Sequence, residues 1–278
     1  MLFGNMSTDE IRNFVRHQLE TLERWLRRLV DDAQREHYGS TFSALPIKQD
    51  IKNQVADRRA REPQRYPRDV DALLFDDLVT IMCHPQAYPH FKNALKDAFP
   101  DGPAEARTFL DRIIEARNPL AHANDITSHQ ALRVMCYSAD VIESLKAYYA
   151  RNNLAQTYNA PSFLRIWDDR GNSAEVDETG RFVAEFEKTQ LRPGDVLQLE
   201  IQPDESFPED SYQIMWRDDA LIVGDYSIGR TFSIKIENRH VSQSGMYILT
   251  KIVSIRDWHR HGSYDAKVLV HYSVLPPV

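Results

Sequence analysis

The spacing of apolar residues changes along the 278-residue chain, and this change constrains the fold more than any other feature. In residues 1–151 apolar side chains recur at intervals of three and four, which is typical of helices with one buried face. From Phe163 onward apolar and polar residues alternate, as in half-buried strands. The polar stretch 152–161 predicts a linker. We therefore expect an α+β chain of two separate domains, an all-α helical bundle (1–151) and an all-β sandwich (162–278).

Two helices of the first half begin with recognisable capping boxes. Ser7 with Glu10, and Thr127 with Gln130, have the spacing at which two side chains satisfy free backbone N–H groups reciprocally. The first predicted helix has about 28 residues and ends before Tyr38. Prolines separate four further predicted helices, at 46–61, 69–83, 86–99 and 103–116.

The second half contains about seven or eight short alternating runs separated by turn residues, which predicts a β-sandwich. Trp216 ends a central run, and Ser-Gly-Met-Tyr at 244–247 follows about 25 residues later. This pattern resembles the immunoglobulin fold with its tyrosine corner, although the cysteines of that family are missing. The resemblance implies that Leu197 or Leu199, together with Leu249, faces inward at the positions of the missing disulfide.

Composition excludes several classes of protein. No apolar run approaches the ~18 residues of a membrane-spanning helix, and the N-terminus has no signal-peptide pattern, so we expect a cytoplasmic protein without membrane contact. The two cysteines, Cys83 and Cys136, form neither a disulfide framework nor a zinc cluster, and we expect small apolar core residues. Only 10 glycines are present and no phosphate-binding loop occurs, so we expect no cofactor and no metal.

Charge is distributed unevenly between the two halves. The formal net charge is −7, of which residues 1–151 carry −1 and the remainder −6. Overall acidity argues against a protein dedicated to binding DNA. The first half is better suited to contact a polyanion.

One short segment, Glu-Ala-Arg-Asn-Pro-Leu-Ala-His at 115–122, combines residues that could do chemistry. Pro119 cannot continue a regular helix, so we expect the helix to close at Arg117 and Asn118 to cap a new turn. Such a break would bring Arg117, Asn118 and His122 together. An imidazole can take a proton from a ribose 2′-OH or give one to a leaving 5′ oxygen, while a guanidinium holds the phosphate. This chemistry cleaves RNA and spares DNA.

A helical domain of about 150 residues with Arg-Asn-x-x-x-His before its last long helix resembles the HEPN superfamily. Within it, the chain more closely resembles the branch that includes a eukaryotic endoribonuclease of nuclear transcript quality control. The resemblance implies a metal-independent endoribonuclease that acts as a homodimer, often as a toxin or antiviral effector. It assigns phosphate binding to Arg117, orientation to Asn118 and acid–base catalysis to His122. Where related toxins carry a tyrosine that is modified by their antitoxin, this chain has Asn124, which puts control by that route in doubt.

Less specific readings of the same residues stay open. Arg117 could pair with Glu115 or Asp111 while His122 merely caps a turn, or the domain could be an inactive relative that binds RNA or a partner protein. A basic stretch at 48–68 could contact RNA phosphates and stack a base, or it could be a solvated helix end. Its candidate RNA-binding residues are Arg58, Arg59, Arg61, Arg65, Tyr66 and Arg68.

Two histidines, His259 and His261, fall between two predicted strands, where a surface hairpin loop is a simpler interpretation than a metal site. We expect the β-sandwich to recognise a protein partner or trigger, a phage component or another copy of the chain. The alternative to a nuclease is a non-catalytic interaction protein whose helical domain dimerises while the sandwich docks a partner.

Overall fold

A computed structural model describes residues 6–39, 42–121, 126–152, 154, 159–177, 179–218 and 226–277, with the side chains of 43, 118, 119 and 121 outside this description. The chain divides into two compact units, Met1–Asn153 and Leu154–Val278. Helices make up the first and strands the second, which confirms the expected α+β class. Among the described residues no helix is both long and apolar enough to cross a membrane.

In the first unit, called here the helical unit, the described residues form six α-helices. They are α1 (Thr8–His37), α2 (Gln49–Arg61), α3 (Phe75–Met82), α4 (Tyr88–Leu95), α5 (Pro103–Ala121) and α6 (Ser128–Arg151). Both predicted capping boxes are present, at Ser7 before α1 and at Thr127 before α6. Fully buried residues of α1 such as Leu22 and Trp25 pack in the core, and the Trp25 ring lies 6.1 Å from that of Tyr149 on α6.

The expected helix at 69–83 is interrupted. A short 3-10 helix, Asp69–Ala72, precedes α3, and the backbone is extended at Leu73 and Leu74. Asp77 accepts a hydrogen bond from the Leu74 N–H at 3.0 Å, so its carboxylate caps the start of α3. A side-chain cap therefore starts a new helix within the segment for which the sequence predicts one continuous helix.

The predicted break before Pro119 is wrong, because α5 continues through this residue to Ala121. Proline inside a helix lacks one hydrogen-bond donor and costs about 3 kcal/mol or more. The buried side chains of Ile113, Ala116 and Leu120 lie on one face of α5 and hold its last turns against the core. Burial of this apolar face opposes the cost of the proline.

Within the ranges given above, the second unit, called here the β unit, has nine strands. They are β1 (Phe163–Asp168), β2 (Ser173–Glu175), β3 (Arg181–Leu191), β4 (Val196–Pro203), β5 (Tyr212–Asp218), β6 (Ser227–Ile228), β7 (Thr231–Lys235), β8 (Ser242–Ser254) and β9 (Ala266–Val274). One sheet has the order β2-β1-β4-β7 and the other β3-β9-β8-β5-β6. Neighbouring strands are antiparallel except β3 and β9, which pair in parallel.

Side chains from the two sheets meet in a common core. The indole of Trp216 on β5 is fully buried and stacks on Phe232 of β7, with ring centroids 5.5 Å apart. The Tyr272 hydroxyl on β9 donates to Asp168 on β1 at 2.7 Å. The sheets therefore pack face to face as a sandwich.

The side chains of β8 that face the core are not the ones expected. Thr250, which is fully buried, pairs with Trp216 and lies on its side of the sheet, while Tyr247 and Leu249 lie on the opposite face. Successive side chains of a strand point to opposite faces, so Leu249, one position before Thr250, lies away from the core shared with the other sheet. Leu197 and Leu199 of β4 are buried as predicted.

The two cysteines occupy different environments. Cys136 on α6 is exposed, so its expected place in the core is wrong. Cys83 directly follows α3 and is half-buried, and burial raises the pKa of its thiol to about 11. Its thiol is therefore protonated at neutral pH and is a weak nucleophile.

Candidate functional site

Arg117 lies in the penultimate turn of α5, with a side chain that is 22% exposed. Asn118 is also helical, but its side chain is outside the described residues. His122 lies outside the described residues altogether, directly after the last residue of α5 in sequence. The arginine of the predicted trio can therefore be placed in three dimensions, and its contacts define the candidate site.

Acidic side chains from two other helices interact with the Arg117 guanidinium. A carboxylate oxygen of Asp76, in the first turn of α3, lies 3.5 Å from Arg117 Nη1. Glu23 of α1 interacts electrostatically with Arg117 and forms an ion pair with Arg27. We call Arg117, Asp76, Glu23 and Arg27 the Arg117 cluster.

Burial and charge act in opposite directions on Glu23. Removal from water raises the pKa of its carboxyl, and the positive charges of Arg27 and Arg117 oppose this shift without cancelling it. Arg27 also donates to the Leu73 carbonyl oxygen at 2.8 Å and 3.0 Å, so its position is fixed by α1 and the segment before α3. The cluster therefore contains one anchored arginine and one that is loosely held.

The contact of Arg117 with Asp76 is longer than a charge-assisted hydrogen bond, which measures about 2.7–2.9 Å. Half of the Asp76 side chain is exposed to solvent, so water competes for the same carboxylate. A guanidinium has five N–H donors in a fork that fits a phosphate. Arg117 is thus positioned by its helix and available to a phosphate that displaces a weak internal partner.

The two carboxylates considered as partners of Arg117 bind other residues. Asp111 lies 3.1 Å from Arg107, and Glu115 lies 4.0 Å from Arg133 of α6. Sequence reasoning did not identify Asp76 or Glu23, because they lie far from Arg117 in the chain. Only the packing of α1 and α3 beside α5 brings them close.

The arginines of the basic stretch are mostly engaged within the helical unit. Arg58 is bound most tightly, with Nη1 2.7 Å from a buried Asp77 carboxylate and 2.9 Å from the Ala72 carbonyl. The remaining pairs join Arg59 to Asp69, Arg65 to Glu62, and Arg68 to Asp31 and Asp71, at 2.8–3.0 Å. Arg65 also lies over the Tyr66 ring, 5.2 Å from its centroid, and Arg61 is exposed. These contacts favour a structural role for Arg58 and leave the exposed members able to meet RNA.

We expect Arg58→Ala to destabilise the protein by about 2–3 kcal/mol, because it leaves the buried Asp77 carboxylate without its charged partner. Urea unfolding measures this change. Arg59→Ala is the control, since its pair with Asp69 is exposed and contributes less than about 1 kcal/mol. An Arg58→Ala protein of unchanged stability but weaker RNA binding would show that Arg58 contacts RNA instead.

The histidines of the β8–β9 connection bind protein groups. His259 Nδ1 lies 3.2 Å from buried Asp265, and His261 Nε2 lies 3.1 Å from the Thr179 carbonyl oxygen. Each therefore has its own partner and helps to hold a loop between two strands, as the simpler interpretation predicts.

Comparison with known proteins assigns no family to the chain. No protein-family model matches it, and no curated protein matches it. What the Arg117 cluster can do therefore follows from its own residues.

Proposed function

We propose that this protein is a metal-independent endoribonuclease in which Arg117 binds the scissile phosphate, Asn118 orients the reacting groups and His122 transfers protons. The observation that carries the proposal is the environment of the Arg117 side chain. Its guanidinium is partly exposed, is held by a helix of the core, and meets Asp76 only at 3.5 Å. In sequence, the histidine follows at the end of that same helix.

The reaction requires only groups of the chain and of the RNA. A base takes the proton of the 2′-OH as its oxygen bonds to phosphorus, and the bond from phosphorus to the 5′ oxygen breaks as that oxygen takes up a proton. The products carry a 2′,3′-cyclic phosphate and a free 5′-OH. The guanidinium stabilises the charge that develops on the phosphoryl oxygens.

Two proton transfers are needed, and each chain supplies one His122. We propose a homodimer formed through the helical unit, around residues 112–135, in which a two-fold axis brings a second imidazole to the same phosphate. One imidazole then acts as base while the other acts as acid. This arrangement follows the HEPN resemblance of the sequence.

For the β unit we propose an immunoglobulin-like sandwich that recognises a partner or regulates the nuclease. The parallel pairing of β3 with β9, the two-sheet order and the buried Trp216 support this assignment. Its net charge of −6 opposes contact with RNA phosphates. A role as a toxin or antiviral-defence effector follows from the resemblance alone.

The second candidate is a non-catalytic interaction protein, and one observation favours it. Most arginines of the basic stretch, and Arg117 itself, face carboxylates of their own unit, which reduces the positive charge offered to RNA. Both candidates include a dimer of about twice 32.3 kDa, so the mass in solution does not separate them.

Cleavage of RNA separates the two candidates. We expect the purified full-length protein to cut single-stranded RNA in the presence of EDTA and to leave 2′,3′-cyclic phosphate ends, which phosphatase treatment and mass spectrometry identify. A DNA oligonucleotide of the same sequence should stay intact, because it lacks the 2′-OH nucleophile. RNA that stays intact over a wide range of protein concentration, salt and pH would favour the interaction protein.

A further inference from the structure

Three side chains with metal-binding groups meet on the outer face of the five-stranded sheet. They are Glu185 and Glu187 of β3 and His271 of β9, and their ligand atoms all lie within 4.8 Å of one another. Glu185 and His271 are paired in the β3–β9 ladder although they are 86 residues apart in sequence. We call these three residues the β3–β9 cluster.

The imidazole of His271 is held with one nitrogen directed at the carboxylates. Its Nε2 lies 2.9 Å from the Ser244 carbonyl oxygen, so this nitrogen carries a hydrogen and donates it. Tyr247 stacks on the ring with centroids 4.5 Å apart and fixes its plane. Nδ1 is then the nitrogen that faces Glu185, at 2.7 Å, and Glu187, at 3.3 Å.

This environment is the one that a metal-binding histidine requires. Histidine ligands almost always donate their second N–H to a carbonyl or carboxylate, which fixes the tautomer and leaves the other nitrogen for the metal. The turn that supplies the Ser244 carbonyl depends on Gly245, which has a φ of +73°. A Cβ at position 245 would lie 2.3 Å from His271 Nε2, so the backbone approaches the ring as closely as glycine allows.

The distances and charges fit a small dication. Two ligands of a tetrahedral Zn²⁺ are about 3.3 Å apart when each lies about 2.0–2.1 Å from the ion, which is the present separation of Nδ1 and Glu187. The Glu185 oxygen is 2.7 Å from Nδ1 and has to move away by about 0.6 Å to reach this separation, which its exposed side chain allows. Two carboxylates neutralise the charge of the ion, and the mixture of imidazole and carboxylate suits zinc better than calcium or magnesium, which prefer oxygen ligands alone.

We propose that Glu185, Glu187 and His271 Nδ1 form a zinc site that links strand β3 to strand β9. The ion takes the place of the proton through which His271 Nδ1 contacts the two carboxylates, and this proton is released to solvent. The fourth position of the ion faces solvent because both glutamates are exposed. β3 lies at the edge of its sheet, and its pairing with β9 shifts after Glu185. The site is in the β unit and does not depend on the nuclease proposed for the helical unit.

Calorimetric titration of the full-length protein with zinc chloride tests this site. We expect Glu187→Gln to weaken zinc binding by at least about tenfold, since even residues that only support a ligand contribute that much. His271→Gln should abolish binding at the site. The matched control is Glu200→Gln, which removes an exposed carboxylate from β4 and should leave the affinity unchanged.

A second variant isolates the site from other histidines. The rings of His37 and His90 in the helical unit stack with centroids 4.0 Å apart, and this pair is a second candidate for binding zinc. The double variant His37→Gln/His90→Gln should bind zinc at the β3–β9 cluster with the affinity of the wild type. Millimolar magnesium should not compete. Equal affinity of the wild type and Glu187→Gln would overturn the proposal, as would a wild type that binds no zinc up to about 1 mM. If His271→Gln fails to fold, Glu187→Gln still tests the site, because Glu187 is exposed and its replacement should leave the fold intact.

Discussion

Replacing Arg117 with alanine should reduce RNA cleavage by about 100- to 1,000-fold while leaving the helical unit folded. Removal of one group that stabilises charge in the transition state has an effect of this size. The partly exposed side chain of Arg117 makes only a long contact with Asp76, so little folding free energy is lost with it. Initial rates on an RNA oligonucleotide, compared with circular dichroism of the same samples, measure both effects.

Loss of His122 should have a comparable or larger effect on the same rate. Acid–base catalysis by one positioned side chain contributes about 100- to 10,000-fold, and His122→Ala removes both imidazoles of the proposed dimer, so the rate should fall by at least this much. Arg117→Lys should retain only part of the wild-type activity, because an ammonium group cannot form the bidentate contact that a guanidinium makes with a phosphate.

Arg107→Ala provides the matched control, since it removes an exposed arginine of the same helix that pairs with Asp111. Its cleavage rate should stay close to that of the wild type. Undiminished cleavage in Arg117→Ala or His122→Ala would contradict the assigned roles, and a parallel loss in Arg107→Ala would indicate a general effect of charge on RNA binding.

The second large effect concerns stability of the β unit. Asp168 is buried and accepts hydrogen bonds from the Tyr272 hydroxyl, the Asn172 amide side chain and the backbone N–H groups of Arg170 and Asn172, at 2.7–3.0 Å. Asp168→Ala removes the acceptor from all four donors. We expect it to destabilise the β unit by about 3–5 kcal/mol, the range found when one partner of a buried charged network is deleted.

Tyr272→Phe should have a smaller effect, about 1–3 kcal/mol, because the carboxylate keeps its other donors. Burial, followed by the hydrogen bond to the Asp168 carboxylate, raises the pKa of Tyr272, so its hydroxyl stays a donor throughout the neutral range. Urea unfolding followed by tryptophan fluorescence measures both variants. Glu175→Ala, at an exposed position on β2, is the control, and a stability of Asp168→Ala equal to that of Glu175→Ala would refute this account.

The sequence predicts helices and strands well where interactions between residues close together in the chain determine them. The Ser7–Glu10 box and the apolar period that follows predict α1 almost to the residue. The error at Pro119 has a different origin, because the burial of Leu120 against other helices outweighs a local preference. Such burial is a property of the folded unit and cannot be read from the segment alone.

The site was predictable only for residues that are close together in the chain. Arg117 was identified from the motif, whereas its neighbours Asp76 and Glu23 come from other helices and carry no spacing signal. The same limit applies to the β3–β9 cluster, whose residues meet through strand pairing. Leu249 is predicted on the wrong face because both alternating sets of residues in β8 contain apolar side chains, so the sequence does not indicate which face is inward.

The position of β9 between β3 and β8 has a consequence for synthesis of the chain on the ribosome. β9 follows every other strand of the β unit in sequence, yet it joins β3 to the rest of the sheet. Until it has emerged, β3 has no neighbour on which to pair, and unpaired strand edges promote misassociation of growing chains. The helices α1 to α6 that the structure describes all precede β1, so every nascent chain passes through an interval in which the helical unit is fully synthesised and the β unit is still open.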